Sequence, residues 1–140
     1  MKILLVLGLS VALLLPSCGS REPFETAVPT ALTTSDLGIS YAAADTSTSG
    51  FAVYMDVYVE FDHGTVSAED LREIIKICVT NNTVRGLYGL KISAVNGPID
   101  VDYNPIDLAP ASEELGFPEH PSSPGDLYAE WDDVLEFVAD

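Results

Sequence analysis

Phe51-Ala52-Val53-Tyr54-Met55-Asp56-Val57-Tyr58-Val59-Glu60-Phe61 is the stretch from which the rest of the chain can be read. Phe51, Val53, Met55, Val57, Val59 and Phe61 alternate with Ala52, Tyr54, Asp56, Tyr58 and Glu60, the period of a strand that buries one face. Asp62-His63-Gly64 closes it. A helix then starts at Ser67, with Asp70 three residues on in a variant of the capping box. Leu71, Ile74, Ile75 and Cys78 fall at helical spacing, an apolar stripe that predicts packing on the sheet, and Asn81-Asn82 end it.

The flanking segments extend the pattern in both directions. Ser40 to Thr46 reads as a weaker first strand, joined to the main one by a Ser/Thr turn ending at Gly50. Downstream, Leu87 to Val95 is a strand with Tyr88, Leu90, Ile92 and Ala94 on one side, and Asn96-Gly97 is a hairpin signal. Ile99 to Tyr103 is the expected return strand, held to an edge by Pro98 and Pro105, which lack the amide donor that a ladder needs. Asp107 to Leu115 reads as a short helix. After Ser123-Pro124 a last helix is expected, with Leu127, Trp131, Val134, Leu135 and Val138 on one face and Glu130, Asp132, Asp133 and Glu136 on the other. Strand pairs followed by helices, with few residues for crossovers, predict an α+β fold: a small, mainly antiparallel sheet of three to four strands with two or three helices packed on one face. At 140 residues there is room for one such domain, placed at 39–140.

The N-terminus carries a different message. Met1-Lys2 precede thirteen residues, Ile3 to Leu15, that are apolar apart from Gly8 and Ser10. A helix crossing the hydrocarbon core needs about 20 apolar residues and signal-peptide cores run about 7 to 15, so residues 1–17 read as an export signal. The run ends in Leu15-Pro16-Ser17-Cys18, which resembles the lipobox of bacterial lipoproteins, a Leu three residues before the cysteine and a small residue just before it. The resemblance covers residues 1–18, with Pro16 where that family more often has a small or aliphatic residue. It implies that the Cys18 thiol receives diacylglycerol, that the signal is cut before Cys18, and that the domain is held outside the cytoplasm, in the cell envelope. Two or three acyl chains make a stable anchor, since each buried CH₂ contributes about 0.8 kcal/mol. An ordinary secretory signal cut nearby would leave Cys18 free or paired with Cys78, the only other cysteine. The segment 18–38, rich in Ser, Thr, Ala and Pro and without periodicity, reads as a lipidated terminus and flexible linker.

Charge narrows the partners. Six Lys+Arg stand against 22 Asp+Glu, a formal net charge of −16, and no Lys or Arg follows Lys91 while twelve acids do. Nucleic acid and anionic lipid headgroups bind through clustered Lys and Arg, so neither is an expected partner. An acidic surface also keeps an exported protein soluble.

Four features bear on chemistry. Asp100-x-Asp102-x-Asn104, with Asp107 nearby, is similar to the opening of a calcium loop, but Pro105 stands at the glycine position and Ala111 where the bidentate Glu belongs. On a strand, Asp100, Asp102 and Asn104 would still share one side. His63 and His120 have no local zinc-ligand spacing and reach Cys78 only if the fold brings them together. Tyr54 and Tyr58 lie on the polar side of the main strand with Asp56 between them, either as a binding platform or as cross-strand packing. The Leu127–Trp131 helix is either core or a partner-binding element. Together these predict a membrane-anchored acidic lipoprotein with a non-enzymatic, protein- or envelope-binding domain and no cofactor. The competing readings are a cation or small-molecule binder using the acidic C-terminal half, and an enzyme working through paired carboxylates, for which no spacing singles out two acids.

Overall fold

The computed structural model describes residues 22–140; the expected export signal and Cys18 lie outside them. The chain runs α1 (Phe24–Thr33), β1 (Ile39–Ser49), β2 (Ala52–Phe61), α2 (Ala68–Thr80), β3 (Gly89–Asn96), β4 (Pro105–Ile106), α3 (Ala109–Glu114), β5 (Leu127–Glu130) and α4 (Trp131–Ala139). The fold is α+β, a mainly antiparallel open sheet with helices packed against it, as the periodicities predict.

β1 and β2 form an antiparallel hairpin, turned at Gly50, whose φ of 63° lies in the left-handed region that glycine adopts without strain. β2 and β3 pair in parallel, from Tyr54↔Gly89 to Phe61↔Asn96. A parallel pair needs a crossover, and α2 supplies it. The expectation of too few residues for crossovers is therefore corrected at this one pair. The far side of β3 is shared by two short antiparallel strands, β5 along Gly89–Ile92 and β4 at Ala94–Val95.

All four helices contribute to one core against one face of the sheet, with α2 touching α1, α3 and α4. Met55, Val57, Val59 and Phe61 of β2 and Leu90, Ile92 and Ala94 of β3 point into it, as the alternation predicts. Phe51 does not, since it belongs to the hairpin turn and is fully exposed. Leu71, Ile74, Ile75 and Cys78 are wholly buried, and the capping box closes in both directions between Ser67 and Asp70. Burial pushes the Cys78 thiol up to about 12. In a Cys18→Ala variant, where Cys78 is the single thiol, a disulfide reagent is expected to react only on unfolding. Rapid modification of the native protein at mildly alkaline pH would contradict this packing.

Three segments depart from the sequence reading. The stretch 18–38, expected to be a linker, contains α1, whose Phe24, Val28 and Leu32 recur every fourth residue and are buried against β1 and α2. Small Ala42 and Ala44 on the inner side of β1 let the helix approach, and the Phe24 amide donates to Thr83 Oγ1 (3.2 Å) beyond the end of α2. The domain thus begins by Phe24 and not at residue 39. The expected return strand at Ile99–Tyr103 is an exposed loop over 97–104, closed by the Asn96 amide donating to the Asn104 carbonyl (2.9 Å), and the return pairing is made by Pro105–Ile106. Finally, Leu127–Glu130 is strand β5 and only Trp131 onward is helix. Leu127, Trp131 and Val134 are all buried, whereas Leu135 is exposed.

Candidate functional site

Among the described residues every helix lies on one side, which leaves the other face of the sheet without a helix over it, and the residues of that face follow from the register. Across β1, β2, β3 and β5 the outward row reads Asp45, Asp56, Lys91, Tyr128; its neighbours are Ala43, Tyr58, Ser93 and Ser47, Tyr54, Gly89, Glu130. Tyr41 lies one row further, opposite Glu60. Aromatic and acidic side chains therefore alternate over this surface.

The tyrosines are mutually supported. Tyr54 packs edge-on to Tyr88 (5.5 Å between centroids) and tilted against Tyr128 (5.7 Å), whose hydroxyl donates to the Tyr54 hydroxyl (3.2 Å). That bond and partial burial push the Tyr128 phenol up to about 12. The ring of Tyr54 lies over Gly89, where a Cβ would come within 3.0 Å of it and 2.9 Å of the Ala129 carbonyl. Glycine is required there so that ring and strand can both approach. Lys91 turns its ammonium over the same ring, 4.5 Å from the centroid. On the other side Tyr58 meets Tyr41 edge-on (6.3 Å) and donates to Glu60 Oε1 (3.1 Å); desolvation and the Glu60 carboxylate push its phenol up to about 12. Glu60, buried at the end of β2, also accepts from the Ile99 amide (3.5 Å), tying the 97–104 loop to the sheet.

The carboxylates are not supported in this way. Asp45 and Asp56 stand directly opposite on antiparallel strands, a like-charge placement that costs stability. Asp56 Oδ1 is buried without a hydrogen-bond partner. Asp126 joins them in a hollow of about 390 Å³ that Tyr58, Lys91 and Ser93 also line. Burial raises the Asp126 carboxyl above the usual carboxylate range, with the Ser93 hydroxyl offsetting part of the effect. The three ion pairs among the described residues, Asp62–His63, Glu69–Arg72 and Glu73–Lys76, lie elsewhere. Among the described residues the one cation of the face, Lys91, stands opposite Asp56 and lines the same hollow, but its ammonium lies over the Tyr54 ring and forms no ion pair with these acids. A second hollow of about 590 Å³ adjoins the first through Ala43 and Tyr58 and runs between Tyr41 and Ile99.

The residues singled out in the sequence are distributed unevenly over this site. Tyr54 and Tyr58 are both on the open face, Tyr54 mostly buried among its aromatic neighbours and Tyr58 half-buried. Asp100, Asp102 and Asn104 lie on the exposed loop and not on a strand, so the common side that would gather them is missing. Asp107 Oδ1 is already used by the Ala109 amide at the start of α3 (3.0 Å). Among the described residues no three His, Cys, Asp or Glu side chains form a metal-ligating group. His63 bonds the Leu37 carbonyl and packs on Phe61, His120 packs on Tyr128, and Cys78 is enclosed in the core, so no Cys–His pair assembles. Tyr41, Asp45, Lys91, Asp126 and Tyr128 were not foreseen. The alternation of Tyr41, Ala43 and Asp45 along β1 is the one signal that pointed to any of them. No protein-family model, curated protein or solved structure matches the chain.

Proposed function

We propose that the protein is a lipid-anchored, extracytoplasmic binding module that engages another protein or an envelope component through the open face of its sheet. The observation that carries this reading is the uncovered face itself: Tyr41 is half exposed there, Tyr88, also half exposed, packs on Tyr54, and the Asp56 carboxylate beside them keeps one oxygen without a partner. Aromatic rings with polar tips give large contact area at low entropic cost, which favours them at recognition surfaces. The anchor rests on Leu15-Pro16-Ser17-Cys18. With lipid on Cys18, the domain would start only a few residues beyond the membrane surface, since α1 begins at Phe24.

Site-directed photocrosslinking in cells tests both parts. A crosslinker at Tyr41 is expected to capture a discrete partner, while one at Glu113, exposed on α3, captures none. In Cys18→Ala the acyl mass and the membrane association are expected to disappear. Equal capture from both positions, or from neither, would remove the open face as the binding surface. A soluble, unacylated wild-type product would remove the anchor.

A further inference from the structure

We infer that the occupant of the open face is a polypeptide segment bearing Lys or Arg, whose cationic heads reach Asp45, Asp56 and Asp126 while its apolar side chains lie against Tyr41, Tyr58 and the 97–104 loop. This rests on the binding reading above and names the chemistry of its partner.

Three observations converge. The first is electrostatic. Among the described residues the face carries Asp45, Asp56, Asp126 and Glu60 with Lys91 as its single cation, in a chain with 22 acids and six bases, so an approaching cation is favoured at long range and on contact. The second is the unpaired state of the carboxylates. Asp56 Oδ1 is buried without a donor, a penalty that a guanidinium or ammonium would relieve, and Asp126, partly desolvated and hydrogen-bonded to Ser93, lines the same hollow without an ion pair. The third is the Lys91 ammonium over Tyr54, which shows within the molecule that an ammonium can sit on an aromatic ring of this face.

Size and edge chemistry favour a polypeptide over a small amine. Four strands spaced about 4.8 Å apart make a surface wider than one amine can span. The second hollow continues the patch to Pro98 and Ile99, apolar contacts that a polyamine would leave unused. An acidic or uncharged segment would leave the carboxylates unpaired.

The test uses the full-length chain in detergent micelles and a fluorescent peptide alternating Arg with Leu, read by anisotropy. Its counterpart alternates Glu with Leu, and spermidine serves as competitor. Asp56→Asn combined with Asp126→Asn is expected to weaken the Arg peptide by about tenfold or more, as removing partners of desolvated charges does. Glu113→Gln with Glu114→Gln on α3 removes the same charge from the helical side and is expected to change binding by less than about twofold. Folding of the Asn variant is checked separately. Because the Asp126 carboxyl titrates above its unfolded value, its ionisation destabilises the native state as pH rises. Asp126→Asn should therefore melt no lower than wild type at neutral pH.

Equal weakening by both charge-removed pairs would reduce the effect to overall charge and overturn the proposal. So would equal binding of the Glu peptide, or complete displacement by spermidine at matched ionic strength. Failure of the Arg peptide with crosslinking from Tyr41 intact rejects only the cationic partner, whereas loss of that crosslinking rejects the open-face reading as well.

Discussion

Phe24→Ala and Leu32→Ala are each expected to lower the free energy of unfolding by about 2–5 kcal/mol, and the double variant to lose its cooperative transition. Both side chains are wholly buried, Phe24 and Leu32 sealing the outer side of the core where β1 contributes Ile39 and the small Ala42 and Ala44. A protein of ordinary stability has about 5–15 kcal/mol in total, so two such cavities use most of it. Pro29 makes the dependence sharper. Inside α1 it removes one helical hydrogen bond, leaving a helix that is poor in isolation and persists through its packing. Urea titration followed by circular dichroism checks this. Changes within about 0.5 kcal/mol, the range of surface substitutions, would return 24–33 to the status of a tether.

Gly89→Val is expected to destabilise by about 1–3 kcal/mol even though valine is the better strand former. The added Cβ would lie 2.9 Å from the Ala129 carbonyl on one side and 3.0 Å from the Tyr54 ring on the other. The ring can rotate away, but the carbonyl belongs to the β5 ladder. Either β5 lifts from β3, taking Trp131 and α4 with it, or the tyrosine cluster opens and Lys91 loses its ring. Thermal melting reads the first outcome, and near-ultraviolet circular dichroism of the tyrosines reads the second. Wild-type melting with an unchanged tyrosine signal would show that β5 and Tyr54 do not depend on the missing side chain.

What could be read from the sequence follows the physical origin of each signal. β2 was legible because helices cover one of its faces, which forces the two-residue alternation. α2 was legible because Ser67 and Asp70 satisfy its first amides and its stripe meets the sheet. α1 was hidden because Thr26, Thr30, Thr33 and Pro29 gave it the composition of a linker, while its apolar residues needed only three positions. β5 was hidden by spacing, since Leu127, Trp131 and Val134 fit one helical face as well as a strand turning into a helix. Asn96-Gly97 did mark a turn, but Pro98 and the Ile99 bond to Glu60 postponed the return pairing to Pro105. The site was legible only where it lay within one strand, at Tyr54 and Tyr58. Asp45, Lys91, Asp126 and Tyr128 come together through a parallel pairing and a strand that no local pattern specified.

β1 ends the sheet order, and among the described residues no strand pairs with its outer side. Eleven residues long and free of Pro and Lys, it is guarded locally by Asp45, by the register irregularity between Ile39 and Tyr41 and by α1 packed against it. To these is added the charge of the molecule as a whole, which makes two copies repel before their edges can meet. Protonation of the carboxylates removes that repulsion while leaving the ladder groups of β1 in place, so the solubility of the folded protein is expected to fall as pH drops toward the isoelectric point.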